Sequence, residues 1–259
     1  MFSLVLLSSS IQSFAWGSKG HKLVVELAFS LLSPSARQKL LSYLDGYPID
    51  NAAVWMDSVR GRHVREYQYM KNWHFIDMEE GQTYEQVRSY NDVVYSLQRT
   101  IDAFSHINTL SNDSINMNLR ILFHLMGDIT QPLHCGYGSD KGGNEIEVTT
   151  PKYNIKKNNL HHVWDDAIIQ EGKITIASLQ EYYRTLSIVQ IKNAKKGTPK
   201  DWMLQSRGYL HTNVYAFDYV QYGVSTLSLD YLNKNVPLVK QQLTFAAIRL
   251  ADVLERTFH

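Results

Sequence analysis

The sequence predicts a mainly α-helical protein folded as a single compact domain with one small β-hairpin. Three observations predict it: amphipathic helical spacing covers most of the chain after residue 15, one stretch alone alternates as a strand does, and no repeat or Gly/Ser-rich linker divides the chain. With 259 residues, 44% of them hydrophobic and 20% charged, the chain is long enough to bury a substantial core. Its 14 Gly and 6 Pro exclude a collagen-like, low-complexity or mainly disordered polymer. The balance of 26 Lys+Arg against 25 Asp+Glu excludes a protein that holds nucleic acid by a large basic surface alone. Any phosphate chemistry here must draw positive charge from elsewhere, and 10 His, the commonest neutral metal ligand, offer a source. A single Cys135 excludes an intramolecular disulfide framework.

Taken in order, residues 2–7 form a short apolar run, and Ser13 and Ala15 follow as small residues two positions apart. This predicts a secretory signal peptide over 1–15, although a basic leading region is missing, with cleavage making Trp16 the first residue of a domain spanning 16–259. The run is too short to span a bilayer, and the expected location is periplasmic or extracellular. Leu23, Leu27, Leu31 and Leu32 recur at helical spacing, and Ser33-Pro34 reads as the capped start of a second helix ending near Asp45-Gly46. Helical patterns continue over 49–60, 85–107, 115–128, 160–170, 175–187, 199–221 and 237–256. Glu145-Ile146-Glu147-Val148-Thr149-Thr150 alternates strictly and predicts one arm of a hairpin turning at Pro151-Lys152. The Lys-rich segment 192–200 reads as a solvated loop.

Two helical segments present a His and an Asp four apart, His124/Asp128 and His161/Asp165, which puts each pair on one helix face and suits two ligands converging on a cation. Zinc accepts imidazole nitrogen and carboxylate oxygen readily. An ordinary helix-surface hydrogen bond would have the same spacing, and His162/Asp166 offers a second register that spacing does not separate from the first. Pro132 should end the first helix and deliver His134 on the following turn, toward the same pocket or simply into water. Upstream, Trp55-Met56-Asp57-Ser58-Val59-Arg60 and Trp73-His74-Phe75-Ile76-Asp77 set ionisable residues beside large aromatic ones. Buried Asp and His need strong partners, of which metal is one. The plainer reading is an Asp57–Arg60 helix salt bridge and a hydrogen-bonded core His74.

The order Trp16-Gly17…Gly20-His21, Trp55-x-Asp57-x-x-Arg60, Trp73-His74-Phe75-Ile76-Asp77, His124-x-x-x-Asp128-x-x-x-Pro132-Leu133-His134, Gly142-Gly143-Asn144 and Asn159-Leu160-His161-x-x-Trp164-Asp165 resembles the S1/P1 nuclease family, distantly related to the zinc-dependent bacterial phospholipase C proteins. The motifs run from Trp16 to Asp165, and the remaining third carries none. The resemblance implies three Zn2+ ions. Asp57, His74, His124 and Asp128 would hold one, and His134, His161 and Asp165 a second. The third would take the free amine and carbonyl of Trp16, His21, and Asp128 as a bridge, so that signal-peptide cleavage creates a ligand and the uncleaved precursor is inactive. The family pattern also selects His161 and Asp165 over the neighbouring register.

By the same resemblance the protein is a secreted hydrolase that cuts single-stranded DNA and RNA to 5′-mononucleotides and acts on 3′-nucleotides, through a zinc-bound hydroxide attacking phosphorus in line. Asp57 would orient the nucleophile or take its proton, and Arg60 would stabilise phosphoryl charge. Phe75 is placed to stack on a base and Asp77 to hydrogen-bond its edge, with core packing the alternative for Phe75. Lys141 and Asn144 are further substrate-contact candidates on a turn whose glycines otherwise only shape the chain. A phospholipase C-like phosphodiesterase acting on lipid head groups is the alternative, disfavoured because those proteins typically end the ligand set with Glu where this chain has Asp165. A non-catalytic zinc-binding or adhesive helical protein would not require Asp57 and Arg60. No stable protein partner and no membrane span are implied, and a monomer is expected.

Overall fold

The computed structural model describes residues 16–151 and 158–259, so the expected signal peptide and Lys152 of the expected turn lie outside the described residues. The helices are α1 (Ser18–Leu31), α2 (Pro34–Leu44), α3 (Ile49–Ala53), α4 (Trp55–Gly61), α5 (Tyr84–Val87), α6 (Val93–Phe104), α7 (Asn112–Asp128), α8 (Leu160–His162), α9 (Ile168–Glu171), α10 (Ile176–Thr185), α11 (Ile188–Lys195), α12 (Pro199–Arg207) and α13 (Leu229–Phe258). Helix α13 packs on α1, α2, α7, α9, α10 and α11, and α7 packs in turn on α1, α2, α3, α4 and α6. The core is one continuous cluster in which Trp16, Trp164, Phe123 and Phe258 are among the largest fully buried side chains. The mainly α architecture read from periodicity is the one observed.

Local chemistry explains where elements begin and end. Ser33 Oγ accepts from the Ala36 amide with Pro34 in the first turn of α2, and the helix closes with Asp45 and Gly46 both in left-handed conformation. The 49–60 pattern divides at Val54 into α3 and α4, and the 85–107 pattern yields a four-residue α5 before Asp92 caps α6 by accepting from Tyr95 N at 2.8 Å. The 199–221 pattern ends as helix at Arg207, followed by a π-helical turn over Leu210–Val214. The last helix starts at Leu229 rather than 237. Ser228 caps it, and burial of Tyr231, Leu232 and Asn235 outweighs the roughly 3 kcal/mol cost of Pro237 inside a helix. The solvated loop expected over 192–200 is instead mostly helix. Capping boxes at Ser187 and Thr198 start α11 and α12, and Arg249 Nε donates to Ala194 O at 2.9 Å at the end of α11.

The alternating segment forms β1 (Glu147–Thr149), antiparallel to β2 (Asn158–Asn159) with Glu147 opposite Asn159. A third short strand, β3 (Ser225–Thr226), adds parallel to β1, so the hairpin becomes a three-stranded sheet in the order β2-β1-β3. Among the described residues no helix is long and apolar enough to cross a membrane.

Candidate metal centre and adjoining cleft

Helix α7 buries its last turn completely, and that turn carries His124, Gly127 and Asp128. Opposite it, α1 supplies buried His21, α4 supplies buried Asp57, and the turn after Trp73 supplies buried His74. A 3-10 turn, Pro132–Cys135, presents His134. Helix α8, capped by Asn159 Oδ1 on His162 N at 2.8 Å, presents His161, and a π-helical turn over Val163–Ala167 presents Asp165. His161 and Asp165 face the interior, while His162 and Asp166 are half-buried. The break at Val54 has a use here, because the Ala53 carbonyl accepts from His124 Nδ1 at 2.9 Å.

These side chains form three groups, in each of which the ligand atoms lie within 4.8 Å of one another: His21, His124 and Asp128; Asp57, His74 and His124; and His134, His161 and Asp165. Asp128 joins the first two groups. Its Oδ1 is 3.2 Å from His21 Nε2 and its Oδ2 is 3.0 Å from His74 Nδ1. Asp57 Oδ1 is 3.4 Å from His124 Nε2 and 3.8 Å from His74 Nδ1. No ion pair joins Asp57 to Arg60 among the described residues, so the plain helix salt bridge is not what holds this carboxylate. Trp16 is fully buried beside these groups. Its carbonyl accepts from His21 N at 3.3 Å, and its indole Nε1 donates to Thr130 Oγ1 at 3.1 Å.

Tautomers show that the donor set fits a cation. His134 Nδ1 lies 2.6 Å from His74 O, and His161 Nδ1 lies 2.6 Å from Gly142 O. A carbonyl only accepts, so each Nδ1 carries the hydrogen and, in the neutral ring, each Nε2 carries a lone pair. These two Nε2 atoms face each other at 3.0 Å. Facing lone pairs repel, and a shared cation removes the conflict. Two nitrogens on one tetrahedral zinc would lie about 3.3 Å apart. Backbone carbonyls holding the outer nitrogens are the usual support of metal-binding imidazoles. Burial pushes His74 and His161 down to about 4 and His134 well below its ordinary value, which keeps them neutral at pH 7. Burial also lowers His124, but Asp128 and Asp57 outweigh it and raise this group to about 9. Burial raises the Asp128 carboxyl, opposed by His124 and His74. Buried Asp57 Oδ1 accepts no hydrogen bond, a poor arrangement for an isolated carboxylate and a good one for a cation's ligand.

Next to this centre opens a cleft of about 370 Å³ lined by Arg60, Phe75, Asp77, Leu133, His134, Lys141, Asn144 and His161. Phe75 stands outside the core cluster, half-buried in the cleft wall. Its segment is pinned by Ile76 N to His134 O at 2.8 Å and Met78 N to Gly136 O at 3.0 Å. Asp77 sits at the rim, where partial desolvation and then Asp140 and Glu79 raise its carboxyl above the usual range. Lys141 pairs with Glu145 at 2.5 Å. Asn144 Nδ2 donates to Lys141 O at 2.8 Å and lies 3.1 Å from His161 Nδ1, which places this amide against the ligand ring as well as in the cleft. Gly142, at φ +60°, has no room for a side chain, since a Cβ there would lie 2.4 Å from Leu133 O. Cys135 is buried with its thiol pushed up by burial, and it belongs to none of the three groups.

The pattern of the S1/P1 Nuclease family matches residues 16–259. The chain belongs to the S1/P1 nuclease family. As a member it is a hydrolase acting on nucleic acids, and its metal-capable groups accord with that chemistry. It is similar to Endonuclease 1 of Arabidopsis thaliana, with 30% identity across 98% of this chain and 90% of the relative. It is also similar to Nuclease S1 of Aspergillus oryzae, with 26% identity across 98% and 95%. Nuclease P1 of Penicillium citrinum is 28% identical across 70% and 68%. Two buried polar residues of the S1/P1 site escaped the sequence reading, Thr130 and Gln131. The available signal was their place between Asp128 and Pro132, where a polar side chain can cap the turn that delivers His134.

Proposed function

We propose that this S1/P1 family member is a secreted zinc-dependent nuclease that cuts single-stranded DNA and RNA to 5′-mononucleotides and removes phosphate from 3′-nucleotides, acting as a monomer. The observation that carries the reading is a set of three buried His/Asp groups, one of which, through His134 and His161, lines a cleft that also holds Arg60 and Phe75. Three Zn2+ ions fit mixed imidazole and carboxylate donors. One would lie among Asp57, His74, His124 and Asp128. His134, His161 and Asp165 would hold another, and the last would engage His21, Asp128 and the amine and carbonyl of Trp16 once residues 1–15 are removed. Bound zinc supplies an acidified water at neutral pH and positive charge for phosphate, which replaces the basic surface the composition lacks.

The chain's own groups divide the remaining work. Asp57, held within the centre, orients the nucleophile or takes its proton. The Arg60 guanidinium donates to phosphoryl oxygens from the cleft wall. Phe75 supports a base by stacking, Asp77 accepts from its edge, and Lys141 and Asn144 border the phosphate path. A base in such a cleft must be unpaired, which is the reason for single-strand preference. The aromatic wall also favours nucleotides over lipid head groups.

The test uses protein beginning at Trp16 on single-stranded DNA, with and without chelator and zinc. Release of 5′-mononucleotides that chelator abolishes and zinc restores is expected, with loss in His124→Ala. No release by zinc-loaded protein sinks the reading and moves phosphatidylcholine to the front as substrate.

A further inference from the structure

We propose that Gln131 is the positioning residue of the His134–His161–Asp165 group, locking Asp165 into one-oxygen ligation and tying it to the turn that carries His134. The inference rests on the reading that this group holds a zinc ion. Gln131 is fully buried and makes two short hydrogen bonds. Its Oε1 accepts from Leu133 N at 2.6 Å, and its Nε2 donates to Asp165 Oδ1 at 2.7 Å. The orientation of the amide is not arbitrary, because a backbone N–H only donates and an ionised carboxylate only accepts.

Each contact has a consequence for a different ligand. The bond from Leu133 N caps the 3-10 turn Pro132–Cys135, on which His134 is the third residue, and the Gln131 carbonyl accepts from His134 N at 3.0 Å. The bond to Asp165 engages Oδ1, while Oδ2 faces His161 Nε2 at 3.4 Å. With Oδ1 engaged by the amide and Oδ2 turned toward His161, Asp165 would present Oδ2 to an ion, which would discourage two-oxygen ligation. One side chain thereby joins the turn that carries His134 to Asp165, 34 residues on from Gln131 in sequence.

The decisive substitution is Gln131→Glu, which keeps an acceptor for Leu133 N but sets a second carboxyl against Asp165. Gln131→Met, similar in volume and without polar atoms, is the companion. Three readouts are taken on protein beginning at Trp16: zinc retained per chain against a graded chelator, the visible spectrum after cobalt replacement, and the melting temperature of metal-free protein. In both variants one ion of the set should be lost at about 10- to 100-fold lower chelator strength than in wild type. The cobalt spectrum of that site should change, and KM for nucleic acid should rise more than kcat falls. Wild-type metal retention and an unchanged cobalt spectrum in Gln131→Glu overturn the proposal. So does a variant whose only change is a lower metal-free melting temperature, since that is a packing role. If Gln131→Met does not fold, Gln131→Glu decides alone. If wild type itself retains no zinc, the functional reading beneath the proposal fails instead.

Discussion

Gly127→Ala separates fold stability from metal binding, because the helix preference of alanine offsets part of the crowding for the fold but none of it for the ligand ring. Gly127 lies in the last turn of α7 between His124 and Asp128, with the His21 ring lying over it. A Cβ at this position would lie 2.7 Å from His21 Nδ1 and 2.9 Å from its Cε1, about 0.7 Å inside ordinary contact. The ring has no free space to retreat into, since it is fully buried and stacked on His124 with centroids 3.9 Å apart and planes 13° apart. Ligands must hold position to within about 0.5 Å to bind productively, so this displacement should cost the ion proposed for His21, Asp128 and the amine and carbonyl of Trp16. The backbone argues the other way. Alanine is favoured over glycine inside a helix by roughly 1 kcal/mol, against about 1–3 kcal/mol for overpacking. The metal-free protein should therefore melt within about 8 °C of wild type. Metal analysis of dialysed protein should find fewer zinc ions than in wild type, and nuclease activity on single-stranded DNA should fall by at least tenfold. Full zinc content and full activity in a folded Gly127→Ala protein would refute the reasoning, because it would mean that His21 tolerates displacement or binds nothing.

Other outcomes follow from separate parts of the molecule. Phe75→Ala should raise KM for single-stranded substrates by an amount equivalent to about 1–3 kcal/mol of base stacking while leaving zinc content unchanged; steady-state kinetics with an unaltered KM would remove Phe75 from the substrate site. Tyr231→Phe removes a buried hydroxyl that donates to Val214 O at 2.6 Å and accepts from Trp164 Nε1 at 2.9 Å, so thermal melting should show a loss of about 1–3 kcal/mol. Glu255 is held below its usual range first by the Ser33 hydroxyl and then by the Ser33 amide. A lowered folded value means its stabilisation is present above the unfolded value and is lost as pH falls through the folded one. The melting-temperature gap between wild type and Glu255→Gln should thus be constant above about pH 5 and close in more acid solution. A gap that persists at low pH would assign the effect to packing.

Much of the fold and the centre can be read along the chain because the relevant physics is local. Helical spacing of Leu23, Leu27 and Leu31 announces α1, Ser33-Pro34 announces the start of α2, and His and Asp four apart announce a shared face. Where the reading departs from the structure, either tertiary contacts overrode local preference or one local signal outweighed another. Helix α7 stops short of Pro132, as a proline demands, whereas packing of Tyr231 and Leu232 carries α13 straight through Pro237. The lysines of 192–200 suggested solvent, yet capping boxes on either side make helix of the same residues.

The identities of the ligand-type residues are thus matters of sequence, while their grouping is a matter of three-dimensional packing. Spacing alone left His161/Asp165 and His162/Asp166 equivalent; burial of the first pair and partial exposure of the second separates them. Nothing along the chain brings Ala53 O to His124, His74 O to His134 or Gln131 to Asp165. Those contacts join residues 71, 60 and 34 positions apart; the first two decide which imidazole nitrogen carries the proton and which faces the centre, and the third decides which oxygen of Asp165 is held by the amide. A sequence lists the donors that a site can draw on, but only the closed fold sets the distances and tautomers on which their chemistry depends.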